Sequence, residues 1–338
     1  MSAGNGLPHH SLAGGARPPA CAPEPERRWD VVGVGANAVD YVYRLPAAPQ
    51  ADSPNAKLRI TSHAVSCGGQ MATALAACAA FGLRAAYVGA VGTDANGHRL
   101  RQELAGRGID LSHLVTRDGA NQFAVITVDE RNGDRVVLWD RDDRLMLQPA
   151  EVPASLIAAA RLVHVDDVDE EAAIRAATLA REAGVPATSD LDRVTNRTAE
   201  LVQALSIPIF AEHVLPAITG EADPERALLK LRATHNGILC VTLGPRGSMM
   251  LMGDEPAYEP GFVVQAVDTT GAGDVFRAGF IHALLKGESP HDILRFANAA
   301  AAVSCTRAGA LNSVPTLAEV TRFLDEHQIA RSPDHQII

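Results

Sequence analysis

The chain has 338 residues, 47% of them hydrophobic but only 4% aromatic, and carries a formal net charge of −10. That charge argues against a nucleic-acid backbone as the main partner, because the Coulombic part of binding would oppose association. No apolar run approaches the ~20 residues that a bilayer-spanning helix needs, so no membrane span is expected.

In chain order, Met1 to Arg28 is rich in Gly, Ala and Pro without an apolar signal core, and reads as a disordered leader before a domain over 29–330 and a tail over 331–338. Trp29 to Gly35 reads as a first strand, and residues 41–65 and 120–140 as a small β-rich flap, its strands Ala124 to Val128 and Arg135 to Trp139 joined by Asn132-Gly133-Asp134. Met71 to Phe81 is a small-residue helix stopped by Gly82, followed by a strand over Ala85 to Val91 and a helix from about Gly97 to Ala105. Strands at Leu162 to Val165, Val185 to Ser189, Ile207 to Phe210 and Gly237 to Leu243 then alternate with helices at Ala172 to Ala183, Thr198 to Leu205 and Pro224 to Thr234. A hairpin-like stretch over Ser248 to Val264, a Gly-rich turn, and helices over Asp274 to Lys286 and His291 to Val303 complete the pattern. Strand-then-helix repetition predicts one α/β domain whose mainly parallel sheet has helices on both faces, with the β flap attached.

Asp268-Thr269-Thr270-Gly271-Ala272-Gly273-Asp274 carries the chemistry. It lies between a strand-like run, Phe262 to Val267, and a helix, so its small residues fall where backbone N–H groups have no helical partner and can cradle an anion. Asp274 in the first turn is expected to stay ionised beside the positive helix end. A cradle for developing charge next to a base is what phosphoryl transfer needs most. A plain Gly-rich turn with an acidic cap is the alternative. The twelve histidines include no metal pair on one helix face, and no Ser or Cys sits in a nucleophile elbow. The cysteines (Cys21, Cys67, Cys78, Cys240, Cys305) have no CxxC spacing and suit reduced thiols of a cytosolic protein. The run Asp166-Asp167-Asp169-Glu170-Glu171 reads as a first helical turn, and Asp190 and Asp192 follow a strand within possible reach of the site.

Asp268 to Asp274 with Val275-Phe276 and Ala278-Gly279-Phe280 closely resembles the second signature of the ribokinase-like (PfkB) carbohydrate kinases. Gly68-Gly69, Val91-Gly92, Asp94, Gly97 and Gly108-Ile109-Asp110 resemble the first. The resemblance spans about 29 to 325 and implies a ribokinase-like three-layer fold with a β lid. It implies an ATP-dependent, cytoplasmic kinase of a sugar hydroxyl, dimerised through the lid. Carried over by position, Asp274 is the base, and Gly271, Ala272 and Gly273 form the anion hole with the Asp274 N–H. Asp40, Gly68 and Gly69 bind the sugar, and Thr242, Gly244, Gly247 and Asn298 lie along ATP. The loop 306–315 resembles a monovalent-cation loop, implying K⁺ on carbonyls of Asp268, Thr270, Ser304, Arg307 and Gly309 plus Ser313; an ordinary helix-end turn is the alternative.

The chain departs from the pattern at Thr73, where the family has Asn, at Ala38, and at Ala211 and Val214, where its magnesium motif would stand. Glu212 between them either serves Mg²⁺ or is a solvated acid. Gly68-Gly69 with Ala72-Thr73-Ala74, the placement of Glu212, and Asp268-Thr269-Thr270 through Val275-Phe276 together resemble the sulfofructose kinase branch, for which Arg141, Arg144 and Arg193, with Trp139 alongside, are candidates to grip an anionic group. A nucleoside kinase, with Phe123 and Trp139 available for stacking, and a catalytically silent nucleotide sensor are the other readings.

Overall fold

A computed structural model describes residues 27–329 except Gly133 and Asp254. The expected tail, Cys21, the turn glycine Gly133 and all but two residues of the expected leader lie outside it. The strands are β1 (Trp29–Val34), β2 (Ala38–Leu45), β3 (Ser62–Gly68), β4 (Ala85–Gly92), β5 (Asp110–Arg117), β6 (Phe123–Asp129), β7 (Arg135–Asp140), β8 (Ala160–Asp166), β9 (Ala187–Asp190), β10 (Ile209–Ala211), β11 (Leu239–Thr242), β12 (Ser248–Leu251) and β13 (Pro256–Glu259). The helices are α1 (Gln70–Ala80), α2 (Ala95–Gly106), α3 (Ala154–Ala158), α4 (Glu170–Glu182), α5 (Thr198–Ala204), α6 (Val214–Thr219), α7 (Pro224–Arg232), α8 (Ala272–Lys286), α9 (Pro290–Cys305), α10 (Ala310–Ser313) and α11 (Leu317–Ile329).

β5-β4-β1-β8-β9 form an all-parallel sheet, and β10-β11-β12-β13 a mixed one. Parallel bridges Thr188–Ile207 and Leu191–Phe210 run the two together. Strand side chains alternate faces, and here both faces are buried. Val31, Tyr87 and Leu162 pack with α1, α8, α9 and α11, whereas Val32, Val34, Val88 and Val163 pack with α3, α4, α5 and α7. The sheet is thus the middle of three layers, as expected. The lid is a separate sheet, β3-β2-β6-β7, in which β2 pairs antiparallel to β3 and parallel to β6.

β1 is flanked by the later strand β4 on one side and the much later β8 on the other, so the chain reverses its winding between β1 and β8. Ligand crevices of open α/β sheets form at such a switch point, beyond the carboxyl ends of the strands. Asp166 ends β8 and Asp190 ends β9 in register with it.

Two expectations need correction, and several elements were not expected. Phe262 to Val267 is not a strand: Val263 is 96% exposed, and Phe262 leaves to pack on Phe323 and His327. Only Glu170 and Glu171 of the acidic run lie in the first turn of α4; Asp166 ends a strand, and Asp167 and Asp169 accept bonds from other loops. The half-exposed sheet-edge strand β5 has too irregular an apolar pattern to be read from the sequence. The helices α3, α6 and α11 were likewise not expected, the first two being only a turn or so long.

Candidate active site

The first turn of α8 is open where other helix starts are closed. Asp94, Asp223 and Ser289 each accept a first-turn N–H at the starts of α2, α7 and α9. α8 starts instead at Gly271, which has φ +79° and no side chain to cap with. A Cβ there would fall 3.1 Å from Ala310 Cα and 3.2 Å from Thr73 Cγ2, so the turn needs glycine on both counts. The Ala272 N–H donates to the Thr269 carbonyl at 3.2 Å, whereas those of Gly271, Gly273 and Asp274 meet no acceptor among the described residues. Of the expected anion hole, Ala272 therefore withdraws its donor, and Asp274 contributes one. Gly273 is exposed, so the cradle faces outward.

Asp274 does not keep the ordinary carboxylate range. Desolvation and the neighbouring Asp190 carboxylate raise its pKa well above 3.8, outweighing Arg277. The expectation that the helix end keeps it readily ionised fails here because burial and a like charge act on it together. The same loop is held from behind. Asp268 accepts the Thr270 N–H at 2.9 Å and the Gly309 N–H at 3.0 Å, tying the α8 start to the loop after α9.

Across from this turn stands a second carboxylate. Asp40 on β2 is buried, and desolvation followed by the field of Asp268 raises its pKa from 3.8 to about 6. Gly68 backs directly onto it: a Cβ would lie 2.7 Å from Asp40 Oδ2 and 3.3 Å from Ala310 Cβ. Gly69, with φ +93°, passes so close to Asn37 that a Cβ would sit 2.5 Å from its Cα. Asn37 in turn donates to Tyr87 Oη at 2.9 Å and the Ala90 carbonyl at 2.8 Å, and accepts from Asn121 at 3.0 Å. This buried network fixes the β1–β2 turn that aims Asp40. Thr73, at the position where the resembled family has Asn, is fully buried, its hydroxyl has no partner among the described residues, and it packs at Gly271.

The lid reaches the signature loop through a residue that sequence reasoning missed. Arg135 on β7 donates to Thr270 Oγ1 at 2.8 Å, Thr269 Oγ1 at 3.1 Å and Asp268 Oδ1 at 3.2 Å. It lines a cavity of about 240 Å³ together with Val42, Arg44, Ile126, Val128 and residues 266–270. Arg135→Ala is expected to raise the KM for the acceptor several-fold and leave that for ATP unchanged, measured by steady-state kinetics with each substrate varied. Arg141, by contrast, spends its charge inside the protein. It grips both Asp169 oxygens at 2.7 and 2.8 Å and donates to the Leu145 carbonyl, so as a substrate ligand it is already neutralised. Arg144 is paired with Asp142, and Trp139 points to solvent with 63% exposure.

The nucleotide side is built on two positive-φ glycines. Gly244 and Gly247 bracket a turn after β11, and a Cβ on Gly247 would collide with the Glu259 carbonyl at 2.1 Å. Thr242 ends β11 and bonds the Phe210 carbonyl at 3.3 Å. Asn298 donates to the Glu259 and Pro260 carbonyls and accepts from Ser248, so its amide stitches the walls together and offers no free donor to a base.

A family model for pfkB family carbohydrate kinases matches residues 33–317. The chain belongs to the pfkB family of carbohydrate kinases. Among its relatives, a ribokinase of Haemophilus influenzae is 28% identical over 302 residues, covering 86% of this chain and 97% of that one. An ATP-dependent ribose-1-phosphate kinase of Halopiger xanaduensis is 32% identical, covering 85% and 95%. Arabidopsis thaliana ribokinase, solved with ribose and ATP, superposes with a TM-score of 0.75 at 25% identity, covering 88% and 98%. This pfkB kinase therefore has the ribokinase-like fold and is a carbohydrate kinase of the sugar and nucleoside kinase group, and its relatives use ATP.

Its cation positions fit unevenly. With Ala211 and Val214 in place of acids or amides, and Glu212 paired with Arg246, no group of three acidic, His or Cys side chains that could hold a metal exists among the described residues. Any Mg²⁺ must then rest mainly on phosphates and water, which that ion's chemistry permits. In the loop proposed for K⁺, Ser313 Oγ donates to the Ala310 carbonyl, Arg307 pairs with Glu319, and the Ser304 and Gly309 carbonyls already accept N–H groups of Arg307 and Ser313. Arg135 adds a fixed positive charge at Asp268 and Thr270. The fit to K⁺ is thus partial. Among the described residues, Cys67, Cys78, Cys240 and Cys305 are free thiols, and no helix is long and apolar enough to cross a membrane.

Proposed function

We propose that this kinase transfers the γ-phosphoryl group of ATP to a hydroxyl of a neutral sugar, with Asp274 as the base. The observation that carries this reading is the uncapped α8 turn. Three amides without an acceptor among the described residues, one of them on exposed Gly273, lie beside a carboxyl whose affinity for a proton is raised, opposite the acceptor carboxylate Asp40. Asp40 accepts two sugar hydroxyls next to Gly68 and Gly69, and ATP lies along Thr242, Gly244 and Gly247. Asp274 removes the proton of the attacking hydroxyl, while N–H groups of Gly271, Gly273 and Asp274 stabilise charge on the moving phosphoryl group. Mg²⁺, when bound with ATP, would supply further neutralisation of phosphate charge, with Glu212, between the two motif positions, as the acid available to its waters. Lid closure, latched by Arg135, excludes water that would otherwise hydrolyse ATP.

The anionic-ketose reading has less support, since Arg141 and Arg144 are each matched by a carboxylate. A homodimer through the lid is supported by β7, an edge strand carrying exposed Val136, Val137, Leu138 and Trp139 in succession. A cytoplasmic location accords with the reduced thiols and the use of ATP. The test is acceptor-dependent ADP release over aldoses, ketoses, sugar acids, sulfosugars and nucleosides, with K⁺ varied. Turnover on a neutral pentose or hexose supports the reading; turnover confined to nucleosides or sulfosugars contradicts it, and no acceptor-dependent release at all leaves only a nucleotide sensor.

A further inference from the structure

Beneath the anion cradle lies a buried charged group that phosphate binding does not use. Arg277 follows Asp274 by one helical turn, on the same face of α8, and is 3% exposed. Its Nη2 meets Asp190 Oδ1 at 2.5 Å, and its Nη1 lies 2.8 Å from where a Cβ on Gly273 would stand. Its Nε is buried without a hydrogen-bond partner among the described residues. Asp190, at the end of β9, is also 3% exposed; its Oδ1 makes no hydrogen bond among the described residues, and its carboxyl lies close enough to the Asp274 carboxyl and the Gln70 amide on α1 for each to act on it. Burying an ion pair is costly, and a simple scaffold role would be met as well by apolar side chains.

We propose that Asp190 is a positioning residue for the transfer: held ionised by Arg277, it shares with Asp274 the proton taken from the substrate hydroxyl. This rests on Asp274 being the base. In the step, the substrate O–H bond breaks and its proton goes to Asp274, which donates it in a hydrogen bond to Asp190. The substrate oxygen forms its bond to phosphorus as the bond to the ADP oxygen breaks. Two carboxylates in contact cannot both stay ionised without cost, so the second acid strengthens the first as a base. Arg277 selects which of them remains the anion. Every charged group facing the pair acts consistently. Asp166 at the end of β8 adds negative field at Asp274, Asp192 and Asp167 add it at Asp190, and Arg277 opposes both; Gln70 is neutral, and His164 beside Arg277 is held neutral by burial and that charge.

The test is the pH profile of kcat/KM, compared among wild type, Asp190→Asn and Asp274→Asn. The acid limb of Asp190→Asn should move down by about one pH unit or more, with a lower plateau, because a weaker base ionises earlier and accepts less readily. A limb that superimposes on wild type overturns the proposal. Should Asp190→Asn leave Arg277 unpaired and fail to fold, Asp190→Asn/Arg277→Gln removes both charges. Its limb should also fall, though by less, since Asp190 acts on Asp274 through both charge and hydrogen bond; an unmoved or raised limb counts against the role. Loss of turnover in Asp274→Asn with an unmoved Asp190→Asn limb would sink this inference alone, whereas full activity in Asp274→Asn would remove the base itself.

Discussion

Asp274→Asn is expected to fold, to bind ATP with little change, and to lose roughly 10²–10⁴-fold in kcat, the range typical of a removed general base. The substitution keeps the side chain's size and its place on α8, so the amides of Gly271 and Gly273 stay in position. It also removes a carboxyl that resists ionisation, so the variant should be at least as stable as the parent. The sign follows from the direction of the shift: an acid with a raised folded-state pKa costs stability as pH climbs from its unfolded value to its folded one. For the same reason wild-type activity should rise with pH along a limb displaced above the ordinary Asp range. Steady-state kinetics and thermal unfolding of the pair check both points; a variant that turns over at near the parental rate ends the assignment.

Asp40→Asn should likewise lose function while gaining stability. Losing one charge-assisted hydrogen bond of about 1.5–3 kcal/mol to the sugar lowers its kcat/KM by roughly 10- to 100-fold. ATP parameters should hold, because Asp40 sits on the lid side of the site. Stability moves the other way. Asp40 is protonated in the folded state up to about pH 6 but only to about 3.8 unfolded, so wild-type stability declines between those values and stays reduced above them. Removing the charge should restore up to about 3 kcal/mol at neutral pH. Sugar affinity of the parent should correspondingly weaken as pH falls below about 6. Equal losses for sugar and ATP, or a destabilised variant, would mean that Asp40 serves packing instead of recognition.

Much of the fold was legible because its signals are local. Buried parallel strands announce themselves as β-branched runs, and Gly82 and Gly271 mark helix boundaries through the backbone shape they permit. The α8 turn was legible for the same reason: seven consecutive residues carry both the cradle and the base. What escaped notice depends on residues distant in sequence. Asp190 could be placed after a strand within reach of the site, but nothing near it says that β9 ends against α8, or that Arg277 three residues past the base turns inward to meet it. Arg135 reads as one more exposed flap arginine until the lid folds over residues 268–270. Arg141 erred the other way, since Asp169 at the start of α4 makes no side-chain cap bond and turns its carboxylate to Arg141 instead. Charge in a sequence shows where a side chain can act, and only its partners show whether that charge is still free.

A crystal structure with ADP, aluminium fluoride and the sugar selected by the screen tests the central claim most directly. Fluorine atoms within hydrogen-bond distance of the Gly273 and Asp274 N–H groups, with the Asp274 carboxyl on the acceptor hydroxyl and Asp40 on its neighbours, is the expected result. A fluoride complex seated away from the start of α8, or an acceptor hydroxyl out of reach of Asp274, would contradict it.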